Sequence, residues 1–221
     1  MQNIAIYGAG VLAKLTHFYV SELPYFNTLC FVVDDAYKYT DDFHGIPVKV
    51  WSQFREEFAV EDINFFLAIG YKSMRARASI YQKVKDTGYS CINILAKGSS
   101  VAQNVTLGDN NIVMPGAVIE PFCNIQSNNV FWSNATICHD TKIGSHNFFA
   151  SNTTVGGEVE IGNANFFGFS STVIQQRVIE NDVLVGAASL VLSNLDSLSH
   201  FQGVPAKKIK KIQPKKGVSI S

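Results

Sequence analysis

Ile137-Cys-His-Asp-Thr-Lys-Ile143-Gly-Ser-His-Asn-Phe-Phe149-Ala-Ser-Asn-Thr-Thr-Val155-Gly-Gly-Glu-Val-Glu-Ile161 places a large apolar residue at every sixth position. The same frame runs back through Phe131, Ile125, Ile119, Val113 and Leu107 to Val101. It runs forward through Phe167, Val173, Ile179 and Val185 to Val191. Sixteen consecutive positions are aliphatic or Phe, with no insertion, in a chain that is 47% hydrophobic. The chance of such a run is on the order of 10⁻⁵. Gly recurs just after these positions, at Gly108, Gly144, Gly156, Gly162, Gly168 and Gly186. The fourth position after each is mostly small or polar, as at Asn111, Ala117, Thr141, Asn147, Thr153, Ser171 and Ser189.

A period of six describes a short strand, a corner, and another short strand, with one large side chain per flat face pointing inward. Three faces close a coil, so residues 18 apart stack, and the run predicts roughly five coils. A β-sandwich would need a period of two and varied loop lengths, and the uninterrupted hexads exclude it.

The region before the repeat has a different grammar. Asn3–Tyr7 reads as a strand ending in Gly-Ala-Gly, Leu12–Glu22 as a helix stopped by Pro24, and Thr28–Val33 as a second strand ending on Asp34 and Asp35. Ile63–Ile69 reads as a third strand, followed by a helix over Ser73–Asp86 and a Gly88 stop. Strands alternating with helices predict a small α/β domain with a parallel sheet, Rossmann-like and about half the size of a full dinucleotide fold. The expected division is therefore 1–97 for the α/β domain, 98–197 for an all-β parallel β-helix, and 198–221 for a tail.

Eighteen basic and eighteen acidic residues balance, which gives no electrostatic reason to expect nucleic acid as a partner. No stretch approaches a membrane span and the N-terminus does not read as a signal peptide, so the expectation is a cytoplasmic protein without membrane insertion. Cys30, Cys91, Cys123 and Cys138 show no C-x-x-C spacing and are expected as reduced thiols, with no metal.

Gly8, Gly10 and Ala13 satisfy G-x-G-x-x-A between a strand and a helix, the geometry that presents helix N-terminal amides to phosphates. Asp34, with Asp35, ends the second strand, where an acid that holds a ribose would sit. NAD would fit these residues alone, but the domain is short for a second mononucleotide half. The diphosphate of a nucleotide sugar is the preferred ligand. Lys72, Arg75 and Arg77 could add to that phosphate site or form a solvated face. The tail's lysines are expected to be solvated, and its last few residues disordered.

The hexads resemble the left-handed β-helix acyltransferases. The order of domains is similar to a narrower group, the bacterial nucleotide-sugar N-acetyltransferases and sialic acid O-acetyltransferases. The residues that carry this resemblance are Ile4-Ala-Ile-Tyr-Gly-Ala-Gly10, Phe31-Val-Val-Asp-Asp35, Ile137-Cys-His-Asp-Thr-Lys-Ile-Gly144, Gly156-Gly157 and Gly203-Val-Pro-Ala-Lys207. The resemblance implies a homotrimer with acetyl-CoA as cosubstrate along the groove between two subunits. It also implies a nucleotide-linked amino sugar, on UDP, dTDP or GDP, held mainly by the first domain.

His139 lies two positions after an inward residue, so its side chain should leave the coil, and the resemblance makes it the general base. Asp140 could orient its ring if the pair sits at a corner; a solvated acid is the competing reading. Gly157, one coil beyond His139, could offer its amide to the thioester oxygen, or be a glycine that the corner requires. Ala187 falls where the family's cofactor groove would continue, and Lys207 is the candidate for a CoA phosphate. In several relatives a second histidine follows the base by nine residues; here that place is Phe148. His146 could stabilise a turn, bind CoA, or do neither. Trp132, Phe148 and Phe166 point outward and suit packing between β-helix faces. The preferred activity is N-acetylation of a 4-amino-4,6-dideoxy sugar on a nucleotide. O-acetylation of a sialic acid type of sugar, or a β-helix that binds nucleotide sugars without catalysis, are the alternatives.

Overall fold

A computed structural model describes residues 1–220 of the chain. The first domain is built from β1 (Gln2–Tyr7), α1 (Val11–Ser21), β2 (Phe26–Val33), β3 (Asp42–Phe43), β4 (Ile46–Val50), α2 (Trp51–Glu57), β5 (Asn64–Leu67), α3 (Met74–Asp86) and β6 (Ser90–Cys91). Its sheet runs β3-β4-β2-β1-β5-β6, parallel except for the β3–β4 pair. The two faces of β1 separate by alternation. Ala5 and Tyr7 join Trp51, Phe54 and Val84, on α2 and α3. Ile4 and Ile6 join Leu12, Ala13 and Val20, on α1.

From Ile94 the chain forms two-residue strands, each followed by a corner, stacked in three parallel columns. The first column holds Ile94–Leu95, Ile112–Val113, Val130–Phe131, Phe148–Phe149, Phe166–Phe167 and Val183–Val185. The second runs from Ser100–Val101 through Thr136–Ile137 to Leu190–Val191, and the third from Thr106–Leu107 through Lys142–Ile143 to Val178–Ile179. This is the left-handed parallel β-helix that the hexads predict. The second residue of each strand points inward and makes one continuous core. Phe131, Phe149 and Phe167 stack face to face within it, with centroids 5.0 and 4.8 Å apart and planes 5° from parallel. Truncating Phe149 to Ala would cost about 3–5 kcal/mol.

From Asn110 to Ala188 each corner has one residue in the left-handed region, recurring every six residues. Asn serves there well, because its short polar side chain tolerates positive φ. Inside one corner row a buried asparagine ladder ties the coils. Asn111 Oδ1 accepts from the Asn129 amide at 2.9 Å, Asn129 from Asn147 at 2.8 Å, Asn147 from Asn165 at 2.9 Å, and Asn165 from Val183 at 2.7 Å.

The first column's outward residues are apolar. Ile112, Val130, Phe148 and Phe166 pack with Ile4, Ile6, Phe31, Phe66 and Met74 of the first domain, and Tyr71 meets Phe148 and Phe166 at 5.3 and 6.1 Å. Phe148 and Phe166, with the partly buried Trp132 against Phe148, are thus covered by this chain's own first domain. That corrects the expectation that they pack against another β-helix.

Two further expectations change. Arg77 is 1% exposed: it donates to the Asn128 carbonyl at 2.8 Å and to the Ile69 carbonyl, and burial lowers its pKa to about 10. Arg75 pairs with Asp182 of the β-helix at 2.9 Å and lies over Gly217. These two cations tie the domains together, Arg77 from the buried junction and Arg75 from its exposed edge, so the solvated face is corrected for Arg77 alone. The tail folds back as well. Ser199–Gln202 extends the first column, Lys207–Lys211 pairs with it antiparallel, and Val218 is buried, its carbonyl accepting from Met74 at 3.1 Å. Order therefore persists to Ile220, where disorder was expected. No helix in the described residues is long and apolar enough to cross a membrane.

Candidate active site

His139 stands on the corner between the second and third columns. The next residue, Asp140, carries the left-handed φ of 57° that turns the chain. That turn brings neighbours that would diverge on a straight strand onto one side, and Asp140 Oδ2 lies 2.9 Å from His139 Nδ1. The hydrogen bond with Asp140 raises the pKa of His139 above its ordinary value, and the charges of Asp140, Glu120 and Glu158 act in the same direction. With Nδ1 turned to Asp140, Nε2 is left as the proton acceptor.

Gly157 lies one coil on, beneath the imidazole. A Cβ placed there would sit 2.7 Å from His139 Cε1 and Nε2, so only glycine lets the ring lie where it does. Gly156 N–H donates to Val173 and Glu158 N–H to His139, but the Gly157 amide between them has no partner in the described residues. An unpaired backbone donor next to the basic ring nitrogen is what a developing oxyanion needs.

The thiols offer no competing nucleophile. All four cysteines are free. Burial and the neighbouring Glu120 push the Cys138 thiol up, and burial pushes Cys30 and Cys91 up to about 12. Thiolate formation is disfavoured at each.

Ala187 and Lys207 stand elsewhere on the molecule. Ala187 occupies the corner between the first and second columns, eight coil-corners on from His139. Lys207 opens the antiparallel strand just after the turn that rests on that end, where the Ala206 amide donates to Leu190 at 2.7 Å. Within one chain they do not meet His139 and Gly157.

Gly8 and Gly10 lie at the end of β1. Gly8 has φ of 115°, its amide donates to Val32 at 2.7 Å, and a Cβ there would sit 3.0 Å from the Ala68 carbonyl oxygen. Gly10 is the N-cap of α1, with no side-chain cap and with open space where a Cβ would stand. Asp34 follows directly on β2, but Oδ1 already accepts from Tyr7 at 2.6 Å and from Lys83. Burial alone would raise its pKa; Lys83 and Tyr7 outweigh that and hold it low. Asp35 accepts from the Ser52 hydroxyl at 2.8 Å. Tyr7 lies within the first motif but nothing there points to Asp34, and Lys83 lies in no motif at all.

His146 is part of the domain junction. Its Nδ1 lies 2.8 Å from Asn128 Nδ2, which can only donate, and its ring packs 5.5 Å from Tyr81. Burial, then Arg77, pushes its pKa down to about 4. It is a neutral structural histidine.

The first domain covers the first column's face. His139 projects from the corner between the other two columns, which lies opposite. In one chain, the Gly8–Gly10 turn and His139 are on different sides of the three-sided prism.

Residues 3–84 match the family model described as the PglD N-terminal domain. No curated protein matches the sequence. Among solved structures, PerB from Caulobacter crescentus, in complex with CoA and GDP-perosamine, is 25% identical, with a TM-score of 0.86, 95% of this chain and 98% of that one covered. The acetyltransferase domain of PglB from Neisseria gonorrhoeae, in complex with acetyl coenzyme A, is 19% identical, with a TM-score of 0.86, 94% of this chain and 99% of that one covered. WeeI from Acinetobacter baumannii is 19% identical, with a TM-score of 0.76, 95% of this chain and 100% of that one covered.

The chain has the architecture that the sequence resemblance implied, a small α/β domain followed by a left-handed parallel β-helix. Its first domain is similar to that of PglD, and its whole length is similar to the acetyltransferases PglB and PerB.

Proposed function

We propose that the protein is an acetyl-CoA-dependent N-acetyltransferase acting on the amino group of a nucleotide-linked 4-amino-4,6-dideoxy sugar. The observation that carries this reading is the His139–Asp140 pair over the unpaired Gly157 amide. The likeness to PerB, a structure with both CoA and GDP-perosamine, supports the choice of substrates.

In the reaction the sugar's amine attacks the acetyl carbonyl while His139 Nε2 takes its proton. The C=O becomes an oxyanion, which accepts from the Gly157 amide. Collapse restores the carbonyl, breaks the C–S bond, and returns the proton from His139 to the departing thiolate. Positioning and the oxyanion contact supply most of the acceleration, and the base contributes about 10²–10⁴.

The acceptor's diphosphate rests on the Gly8–Gly10 turn and the N-terminus of α1, with Asp34 and Asp35 at the ribose or base. Because that turn and His139 face away from each other in one chain, the working enzyme is an oligomer, a homotrimer by family resemblance, whose site is completed between copies. Ala187 and Lys207 of an adjacent copy then extend the cofactor groove that begins at Gly157.

The test is release of CoA thiol with UDP-, dTDP- and GDP-linked amino sugars, wild type against His139→Ala. A fall in kcat of at least about 10² is expected. Near-normal turnover in the variant would remove His139 as the base. Transfer to a sugar hydroxyl but to no amine would make the enzyme an O-acetyltransferase instead.

A further inference from the structure

The corner that carries His139 contains Pro121, His139, Gly157 and Gln175, one per coil. Pro121 has no N–H, and the amides of Gly157 and Gln175 find no partner among the described residues. Only the His139 amide is satisfied, by Glu120 Oε2 at 2.9 Å. A carboxylate takes an amide of the next coil once more, where Glu180 accepts from Ser197 at 2.9 Å, but on the His139 corner it serves His139 alone among the described residues. On the asparagine-rich corner the amides of Asp109, Ser127, Ser145 and Asn163 are each taken by the side chain of the following coil. At His139 the acceptor comes from the preceding coil, 19 residues earlier. The residue in the same relation to Gly157 is Cys138, which offers no such acceptor, and for Gln175 it is Gly156. Two adjacent coils thus close one amide with a carboxylate and leave the next amide open.

We infer that Glu120 is a positioning residue for the base. Its carboxylate clamps the His139 main chain so that the imidazole stays flat over Gly157, and its charge joins that of Asp140 in favouring the imidazolium formed during transfer. This rests on the proposed acetyl transfer for its kinetic consequences, but the clamp itself is a feature of the corner. The titratable groups facing His139 are Asp140 on its own corner, Glu120 one coil before, Glu158 one coil after, and the Cys138 thiol beside Glu120. The Glu158 carboxylate makes no hydrogen bond to His139, whereas the Glu120 carboxylate has both the bond and the charge.

Glu120→Gln keeps an acceptor for the amide and removes the charge, whereas Glu120→Ala removes both. In the Gln variant kcat at the alkaline plateau should stay within about twofold, with the acid limb of kcat/KM moved to lower pH. In the Ala variant kcat should fall about tenfold, with KM for both substrates little changed, as expected for lost orientation. An NMR titration of the His139 ring in the intact protein provides a readout independent of turnover, and the Gln variant should titrate at lower pH than wild type. Unchanged ring titration in both variants would overturn the inference, whether or not the protein transfers acetyl groups. So would a Gln variant as impaired in kcat as the Ala variant. If ring titration shifts as expected but no acetyl acceptor is found, the clamp stands and the proposed reaction falls.

Discussion

The imidazole of His139 covers the α-carbon of Gly157 so closely that the glycine's absent side chain is the space the ring occupies. Gly157→Ala would put a methyl group into two ring atoms. The ring is the mobile partner, on an exposed corner, so it would move and the coil would not. The variant should keep its melting temperature within a few degrees and lose about 10²-fold in kcat, because the base is displaced from the reacting amine. Steady-state kinetics beside a thermal melt separates the two; a variant of normal activity would show that the contact has no role.

Asp140 raises the basicity of His139 through a hydrogen bond. The base works only when deprotonated, so a raised pKa puts the acid limb of kcat/KM above the ordinary histidine value of about 6.5. Asp140→Asn should move that limb to lower pH and reduce the plateau, since a weaker base drives the transfer less. A limb that stays in place would mean that Asp140 does not touch the ring in solution.

His146 makes a contribution of opposite sign. Its pKa is about 4 in the folded protein against 6.5 as the ordinary value. Between those limits the unfolded chain binds a proton that the native state refuses. Stability is therefore full above pH 6.5 and declines as pH falls towards 4. After allowance for partial solvent access the loss is on the order of 2 kcal/mol. Denaturant melts from pH 7.5 to 4 should show this slope, and His146→Gln should flatten it. An equal slope in the variant would assign the loss to other groups.

Because the glycine turn and the base lie on opposite sides of one chain, two inactive variants should rescue each other. His139→Ala lacks the base. Gly10→Glu keeps a tolerated backbone, with open space for its side chain, but sets a carboxylate where phosphate would bind. Each alone should be inactive. Random co-assembly in equal amounts should restore about a quarter of the sites in a cyclic oligomer whose sites lie between neighbours. No recovery would place the whole site within one chain, and an active Gly10→Glu enzyme would remove the phosphate role of the turn.

The repeat was legible because inward Phe and Ile side chains recur with a period that nothing else produces. His139 and Asp140 were legible as a pair, and the corner geometry that joins them follows from the same count. The docking of the first domain was hidden, although a signal for it exists. Residues just before the inward ones read Ile112, Val130, Phe148, Phe166 and Leu184 on the first face, against Thr136, Thr154 and Thr172 on the second. An apolar outward row with a period of 18 marks the covered face. Arg77, His146 and Glu120 carried no such mark. Each acts through a neighbour distant in sequence, and a single charged or imidazole side chain looks the same whether it faces solvent or a carbonyl.

The asparagine ladder also constrains how this chain can change in length. Each rung hands its oxygen to the amide 18 residues on. Loss of one residue would turn phenylalanines outward and asparagines into the apolar interior for every coil beyond the break. Removal or duplication of 18 residues would leave each rung facing another rung. Along the ladder, insertions and deletions are therefore tolerable only as whole coils; the coil beyond its last rung is free of that constraint and is two residues shorter, Val183 pairing with Ser199.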